Sequence, residues 1–411
     1  MALNYVWIAF FLIAFVVALC KYIFLGDTQI FKLIIDGTFD TAKIAIMDIA
    51  LPLAGIMTFF LGILNIGERA GAIGFLSRLI GPFFNRLFPE VPKGHPASGQ
   101  MMINFSANML GLDNAATPFG LKAMQSLQEL NKDKETASNA QIMFLVLHTA
   151  GPVLIPLSIM AQRALLGAAN PSDVFVPCLI GTYVTTFVGM IVVGLWQRIN
   201  FLHPVVLAWL LGITGAVGLL LWYLSGLDKV QLERFSQVAG PLILFVIIVA
   251  FIAGGIRKRI NVFDAFIDGA KNGFEVSLKI LPYLVGMLVA ISVFRNSGTL
   301  DYVVNALGKF FAAIGLNTDF VPALPVALMK PFSGSGARGL MIETMKTHGA
   351  DSFVGRLACI FNGSADTTFY IVALYFGSVG IKRVRYAIVA GLIADLVGVI
   401  AGIFLGYLFF K

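Results

Sequence analysis

The chain is predicted to be an all-α polytopic membrane protein built from two inverted-topology repeats, and three observations carry that prediction. Of its 411 residues, 58% are hydrophobic and only 12% charged, with a mean hydropathy of +0.88. A soluble domain carries about a quarter charged residues, so most of this surface must face lipid. The apolar residues gather into runs near the roughly 20 that a helix needs to cross a bilayer. Those runs are interrupted at matching places in the two halves. Asp36-Gly37 (FKLIIDG) recurs as Asp268-Gly269 (FDAFIDG), and Gly81 with Phe83-Phe84 recurs as Gly308 with Phe310-Phe311. Phe105-Ser106 recurs as Phe332-Ser333, and Val188-Gly189 as Val397-Gly398. A duplicated, repeatedly interrupted hydrophobic unit is the mark of a secondary transporter core.

In chain order, spans are expected at 5–25, 44–65, 138–165, 174–196, 204–226, 239–256, 274–294, 354–377 and 385–409. The first run lacks a basic n-region and a small-residue cleavage site, so it reads as a retained helix rather than a signal peptide. This gives about four spans in each of the units 1–200 and 231–411, joined by a linker, 201–230, that holds one unpaired helix. An even unit followed by a single crossing places its second copy upside down, with a pseudo-two-fold axis in the membrane plane. Lys and Arg lie between spans (Arg257, Lys258 and Arg259; Lys382, Arg383 and Arg385) and favour a cytoplasmic N-terminus in the cytoplasmic, or inner, membrane. The net charge of +7 is explained the same way and gives no reason to expect a nucleic-acid partner.

Each copy also holds a stretch too polar to cross. Residues 98–130 carry Asn104, Ser106, Asn108, Asp113, Asn114 and Pro118; residues 320–346 carry three prolines and the run Ser333 to Gly339, with Ser335 and Arg338. Irregular backbone at membrane depth survives only where it is buried in protein or lines a polar cavity. Each stretch is therefore expected to be a re-entrant helical hairpin, the alternative being a surface loop. The next spans are themselves broken, by His148-Thr149-Ala150-Gly151-Pro152 with Pro156, and by Asn362 through Thr368. Proline removes a backbone donor and clashes with the preceding turn. A helix broken at this depth frees amides at one half-helix end and carbonyls at the other, which suit anions and cations respectively.

These interruptions supply the candidate substrate-binding residues: Asn104, Ser106, Asn108, His148, Thr149, Ser333, Ser335, Arg338, Asn362, Ser364, Asp366, Thr367 and Thr368. Asp366 leads, because an ionisable residue inside a span is costly and usually functional; it also suits a helix cap. Asp113 and Asn114, with Asp366, are candidates for a coupling ion, since their oxygens suit a hard cation such as Na⁺; an Asx turn closing the hairpin is the alternative for the first two. His148 suits proton transfer or a metal, or simply a neighbouring carbonyl. Arg338 presents donors for a carboxylate or phosphate, or reaches the interface. Asp395, within the last span, is expected to pair with Arg338 or Lys279.

Other chemistries find little support. Cys20, Cys178 and Cys359 lie apart in apolar runs without CxxC spacing, so neither a disulfide framework nor a zinc site is indicated. The glycine-rich run lacks the GxxxxGK[ST] spacing of a phosphate-binding loop, and no hydrolytic motif is present, so no enzyme and no cofactor are expected. The reading is a permease for a small polar or anionic solute, nucleoside-like or a small carboxylate, driven by Na⁺ or H⁺. A non-transporting membrane scaffold, marked by a filled central cavity, and a divalent-metal path through His148, Asp366 or Cys359 are the other readings. A homodimer, common among transporters, is compatible with the chain.

Two segments add a family resemblance. LGLDNAATPFGLKAM (110–124) resembles the hairpin signature of the spore maturation protein A family. FSGSGARG (332–339) and GADSFVGRLACIFNGSADTTFYIVALYFGSVGI (349–381) resemble spore maturation protein B. Both belong to the nucleoside-recognition, or Gate, group, which is similar to the core of concentrative nucleoside transporters and to the membrane part of the ferrous-iron transporter B. The resemblance implies a fusion of an A-like and a B-like unit. It does not include the GTP-binding domain of the iron transporter, so it implies no coupling to GTP hydrolysis within this chain.

Overall fold

A computed structural model describes residues 2–110, 113–227 and 229–411, except for some side chains within helices. The described residues are helical almost throughout. α1 (Ala2–Leu25) is followed by α2 (Ile30–Ile44) and α3 (Leu51–Arg69), fused through one π-helical turn (Ala45–Ala50) into a single rod. Then come α4 (Ala72–Leu87), the hairpin of α5 (Pro96–Met109) and α6 (Asp113–Leu130), the broken pair α7 (Asn139–Thr149) and α8 (Leu157–Leu165), and α9 (Phe175–Trp196). α10 (Pro204–Ser225) links this series to the next. α11 (Lys229–Arg257), the long α12 (Val262–Asn296) and α13 (Thr299–Ala313) precede a second hairpin, α14 (Leu324–Met329) and α15 (Gly334–His348). A second broken pair, α16 (Phe353–Gly363) and α17 (Thr368–Ser378), leads to α18 (Ala387–Phe410).

The order of elements therefore repeats. α11 answers α1, α12 answers the α2–α3 rod, and the series runs on to α18 answering α9, with α10 left over. Even the corners match: the rod turns into α4 at Gly71 (φ +94°), and α12 turns into α13 at Gly298 (φ +82°), both in the left-handed region that glycine enters without a Cβ penalty.

Among the described residues, six helical stretches are long and apolar enough to cross a bilayer: Trp7–Leu25, Ile30–Arg69, Phe175–Trp196, Pro204–Leu224, Phe353–Ser378 and Ala387–Phe410. Pro241–Arg257 and Val285–Asn296 are shorter apolar stretches of the same kind. Large apolar side chains such as Leu12, Phe24, Trp222 and Phe404 face outward, as lipid contact requires. The chain is an all-α, multi-pass membrane protein.

Equivalent helices meet each other antiparallel. Gly37 of the rod faces Asn296 of α12, while Gly269 of α12 faces Leu61 and Asn65 of the rod. Thr41 donates to Ser292 (2.9 Å) and Asn65 to the Ala265 carbonyl (2.6 Å). The recurring Asp-Gly pairs thus mark where each rod lets the other approach. α9 and α18 pair in the same sense: Gly189 lies against Ala394, and Gly398 against Thr185. Each of these helices also holds a break, Thr186 by donating to the Ala150 carbonyl and Asp395 by accepting from Thr368 (2.7 Å).

The two broken pairs run past one another with their breaks adjacent, and their outer ends meet in two polar junctions. At one, Arg163 of α8 is fully buried and pairs with Asp173 (2.8 Å) and Asp351 (2.9 Å), while Arg356 of α16 pairs with Asp173 (2.7 Å). At the other, the loop before α7 meets the loop after α17. There Lys382 pairs with Glu135 (2.6 Å), Arg385 donates to the Ala137 carbonyl (3.0 Å), and the Ala137 amide donates to the Arg383 carbonyl (3.0 Å). Asp133 in that loop accepts from the Glu135 amide (3.0 Å), and the Thr136 hydroxyl leads in holding its carboxyl below the usual range. The centre of the first junction is dry, Arg163 and Asp173 being 0% and 6% exposed, with Asp351 at its edge 37% exposed; the second is wet, Lys382 and Glu135 being 72% and 53% exposed.

Candidate solute site

Four interruptions converge on one cavity of about 210 Å³. Its walls are α3, the end of α5, both helix breaks and the second hairpin. The polar lining is Asn108, His148, Ser158, Lys330, Arg338, Asn362 and Asp366.

Local chemistry places each of these groups. α7 begins at a capping box, Ser138 with Gln141, and ends where Gly151-Pro152 and then Pro156 stop the helix. Gly151 lies close to Asn108, which donates to the His148 carbonyl (3.3 Å). α16 begins at Ser352, whose hydroxyl accepts from the Gly355 amide (2.9 Å), and ends at Gly363. Beyond it the Asp366 amide donates to the Thr149 carbonyl (2.7 Å), so one break satisfies an orphan carbonyl of the other. The Asp366 carboxylate accepts from the Thr367 amide (2.8 Å) and hydroxyl (3.1 Å), organising the entry to α17 while lining the cavity. α15 starts at Gly334 on the cavity wall, its N-terminus capped by Ser333, which accepts from the Gly336 amide (3.0 Å); Arg338 follows one turn later.

Behind the cavity a buried network orients His148. The Asn104 amide nitrogen donates to the Ala116 carbonyl (2.7 Å), which turns its oxygen toward His148 Nδ1 (3.1 Å). Nδ1 therefore carries the proton, leaving Nε2 as the acceptor. Tyr375 closes the network, with its hydroxyl 3.4 Å from both Asn104 Nδ2 and the imidazole and its ring 4.9 Å from the imidazole centroid.

The structure separates the remaining candidates by what they touch. Ser106 contacts Ser77 of α4 (3.1 Å). Thr149 and Ser364 donate to carbonyls in their own helices, those of Val146 (3.1 Å) and Phe361 (3.0 Å). Ser335 contacts the capping Ser333 (3.2 Å), Thr367 serves Asp366, and Thr368 serves Asp395. Thr368 is thus a partner of Asp395 that sequence reasoning did not name; the side chains of Asp113, Asn114 and Lys279 lie outside the described residues. Among the described residues no three His, Cys, Asp or Glu side chains form a metal-holding group, and Cys359 sits in the apolar core 3.5 Å from Met345 Sδ. Sequence reasoning missed Tyr375, one of two phenols in α17 with Tyr370, and Gly120, whose packing against Tyr375 and Asn104 left no local trace.

This architecture defines a multi-pass membrane protein with a polar cavity at paired helix breaks. A family model described as Gate, nucleoside recognition, matches residues 50–164 and again 277–382. The chain is 45% identical over 165 residues to spore maturation protein B of Bacillus subtilis (strain 168), which covers 40% of this chain and 91% of that protein. It is 35% identical over 182 residues to spore maturation protein A of the same organism, 44% of this chain and 89% of that protein. Inner membrane protein YjiG of Escherichia coli (strain K12) is 37% identical over 95 residues, 23% of this chain and 60% of that protein. No solved structure matches. The two matches to the family model span more than half of the chain, which belongs to the Gate, nucleoside recognition, family.

Proposed function

We propose that this protein is a secondary transporter of the cytoplasmic membrane that moves a small polar solute by alternating access. The observation that carries the reading is the convergence of both helix breaks and both hairpins on one open cavity that holds charged and amide side chains among apolar ones. Liquid water takes about 30 Å³ per molecule, so the cavity has room for one small solute or several waters. A scaffold would be expected to fill such a space with side chains. Instead, the space is open and bordered by Asn108, His148, Ser158, Lys330, Arg338, Asn362 and Asp366.

Antiparallel packing of equivalent helices supports two units, 1–200 and 231–411, related by inversion. Alternating access in such a protein is a rocking of one unit against the other around a fixed site. The two junctions at the outer ends of the broken helices are then its gates. The cluster built on the buried Arg163–Asp173 pair is the more tightly closed one, and the exposed Lys382–Glu135 junction opens more readily. Asp366 binds the coupling Na⁺ or H⁺, or a basic group of the solute. The name of the relative YjiG supports placement in the inner membrane.

Uptake of labelled small carboxylates and nucleosides into proteoliposomes tests the reading. The wild-type protein is expected to accumulate at least one of them. Asp366→Asn is expected to abolish that uptake at an unchanged melting temperature; undiminished uptake by this variant overturns the role given to Asp366.

A further inference from the structure

The two breaks are held by residues that occupy the same place in the repeat but differ in charge. Two residues before the recurring Val-Gly of α9 and α18 stand Thr186 and Asp395. Thr186 donates to the Ala150 carbonyl at the first break, and Asp395 accepts from Thr368 (2.7 Å) at the second. A neutral hydroxyl therefore suffices for this packing role. The hairpins differ in the same way: two residues before the recurring Phe-Ser stand Ile103 and Lys330. The second copy thus adds a cation and a carboxylate at these places, and the two attract each other, with Asp366 the other carboxylate acting on Asp395. Asp395 is buried within a span, where a carboxylate is costly and marks substrate or proton pathways. The ion pair is not what joins its surroundings. The Phe369 amide donates to the Pro331 carbonyl (3.0 Å), Phe332 stacks on Phe369, and Thr368 fits against Gly391 of α18. Other titratable side chains on the elements packed against α18 have partners elsewhere. His148 of α7 and Tyr375 of α17 face each other, Arg356 of α16 faces Asp173, and Tyr183 of α9 faces Thr214.

From this difference between the copies we infer that Asp395 is the proton-coupling site, with Lys330 as its exchangeable partner. The inference rests on the transport reading above. Ionised Asp395 holds the Lys330 ammonium. A proton arriving through the cavity, which Lys330 borders, binds a carboxylate oxygen of Asp395. The ammonium keeps its own protons and turns toward the cavity and its solute. Release of the proton to the other side of the membrane draws Lys330 back. The proton that enters is the proton that leaves, and no other bond is made or broken. Asp366 is left as the carboxylate of the cavity itself.

The test has a spectroscopic arm and a transport arm. Infrared spectroscopy follows the carboxylic-acid C=O stretch while the detergent-purified full chain is titrated with acid. The wild-type protein is expected to gain a band that Asp395→Asn lacks and Asp366→Asn keeps. Lys330→Met should bring that band in at higher pH, since a nearby opposite charge favours the ionised form. A spectrum unchanged by Asp395→Asn overturns the inference. In proteoliposomes, an inward proton gradient is expected to raise uptake of the labelled carboxylates or nucleosides several-fold. Asp395→Asn, which keeps an oxygen for Thr368, should lose that stimulation yet still exchange solute at equal pH. The double variant Lys330→Ile with Asp395→Thr gives the second copy the residues of the first. It is expected to keep the wild-type melting temperature and lose the gradient response, and it decides the matter if Asp395→Asn folds poorly. A full gradient response by the double variant assigns the pair to packing and overturns the inference. Wild-type uptake that ignores the gradient overturns it as well and leaves the transport reading standing. No uptake of any solute by the wild-type protein removes both.

Discussion

Gly120 shows how far a single residue can act from the cavity it controls. A Cβ built there would lie 2.6 Å from Tyr375 Cζ and 2.8 Å from Asn104 Nδ2, the two groups that orient His148. Gly120→Ala should therefore push that network apart and lower uptake several-fold, although the residue does not line the cavity. Unchanged uptake would detach the network from function. At the rod crossing a glycine serves packing instead. A Cβ on Gly273 would sit 2.6 Å from the Met57 carbonyl, a backbone atom that cannot swing away. Overpacking of this kind costs about 1–3 kcal/mol, so Gly273→Val is expected to lower the melting temperature measurably. The polar groups of the breaks were legible in the sequence because asparagine, aspartate and proline are expensive inside a span. Their partners were not. Nothing local says that the Asp366 amide will meet the Thr149 carbonyl or that Thr368 will serve Asp395, since both depend on helices brought together only by the fold.

At the scale of elements, the hairpins and breaks follow from short-range chemistry. α7 ends at Gly151-Pro152 and α15 starts at Ser333 because proline, glycine and a capping hydroxyl dictate it, and these signals can be read one residue at a time. The junctions could not be read so. Arg163 looks in sequence like any basic residue at the end of a span, yet it is fully buried and paired with Asp173 and Asp351. Arg163 also donates to the carbonyls of Asn170, Pro171 and Ala350, so its loss strips buried acceptors as well as one partner of Asp173, and removing one partner of a buried ion pair costs about 3–5 kcal/mol. Arg163→Met is therefore expected to destabilise the protein strongly in thermal denaturation. Glu135→Gln, at the wet junction, should leave the melting temperature nearly unchanged, as exposed pairs contribute little. Equal effects of the two substitutions would contradict the contrast drawn between a tight and a loose end.

For the whole molecule, composition and hydropathy were enough to predict a multi-pass helical protein, and the paired interruptions were enough to predict a duplicated series of elements. The continuity of the 30–69 rod was not evident, because its amphipathic first part and apolar second part read as separate pieces joined at the π-helical turn. In the alternating-access account the antiparallel units make two half-sites, so the cavity between them faces each side of the membrane in turn. The most direct measurement places a single cysteine at Ser158, on the cavity wall, after replacing Cys20, Cys178 and Cys359. Proteoliposomes are then exposed to a membrane-impermeant thiol reagent added outside, or trapped inside. The account predicts labelling from either side, slowed by the transported solute. Labelling from one side only, however long the exposure, would contradict it.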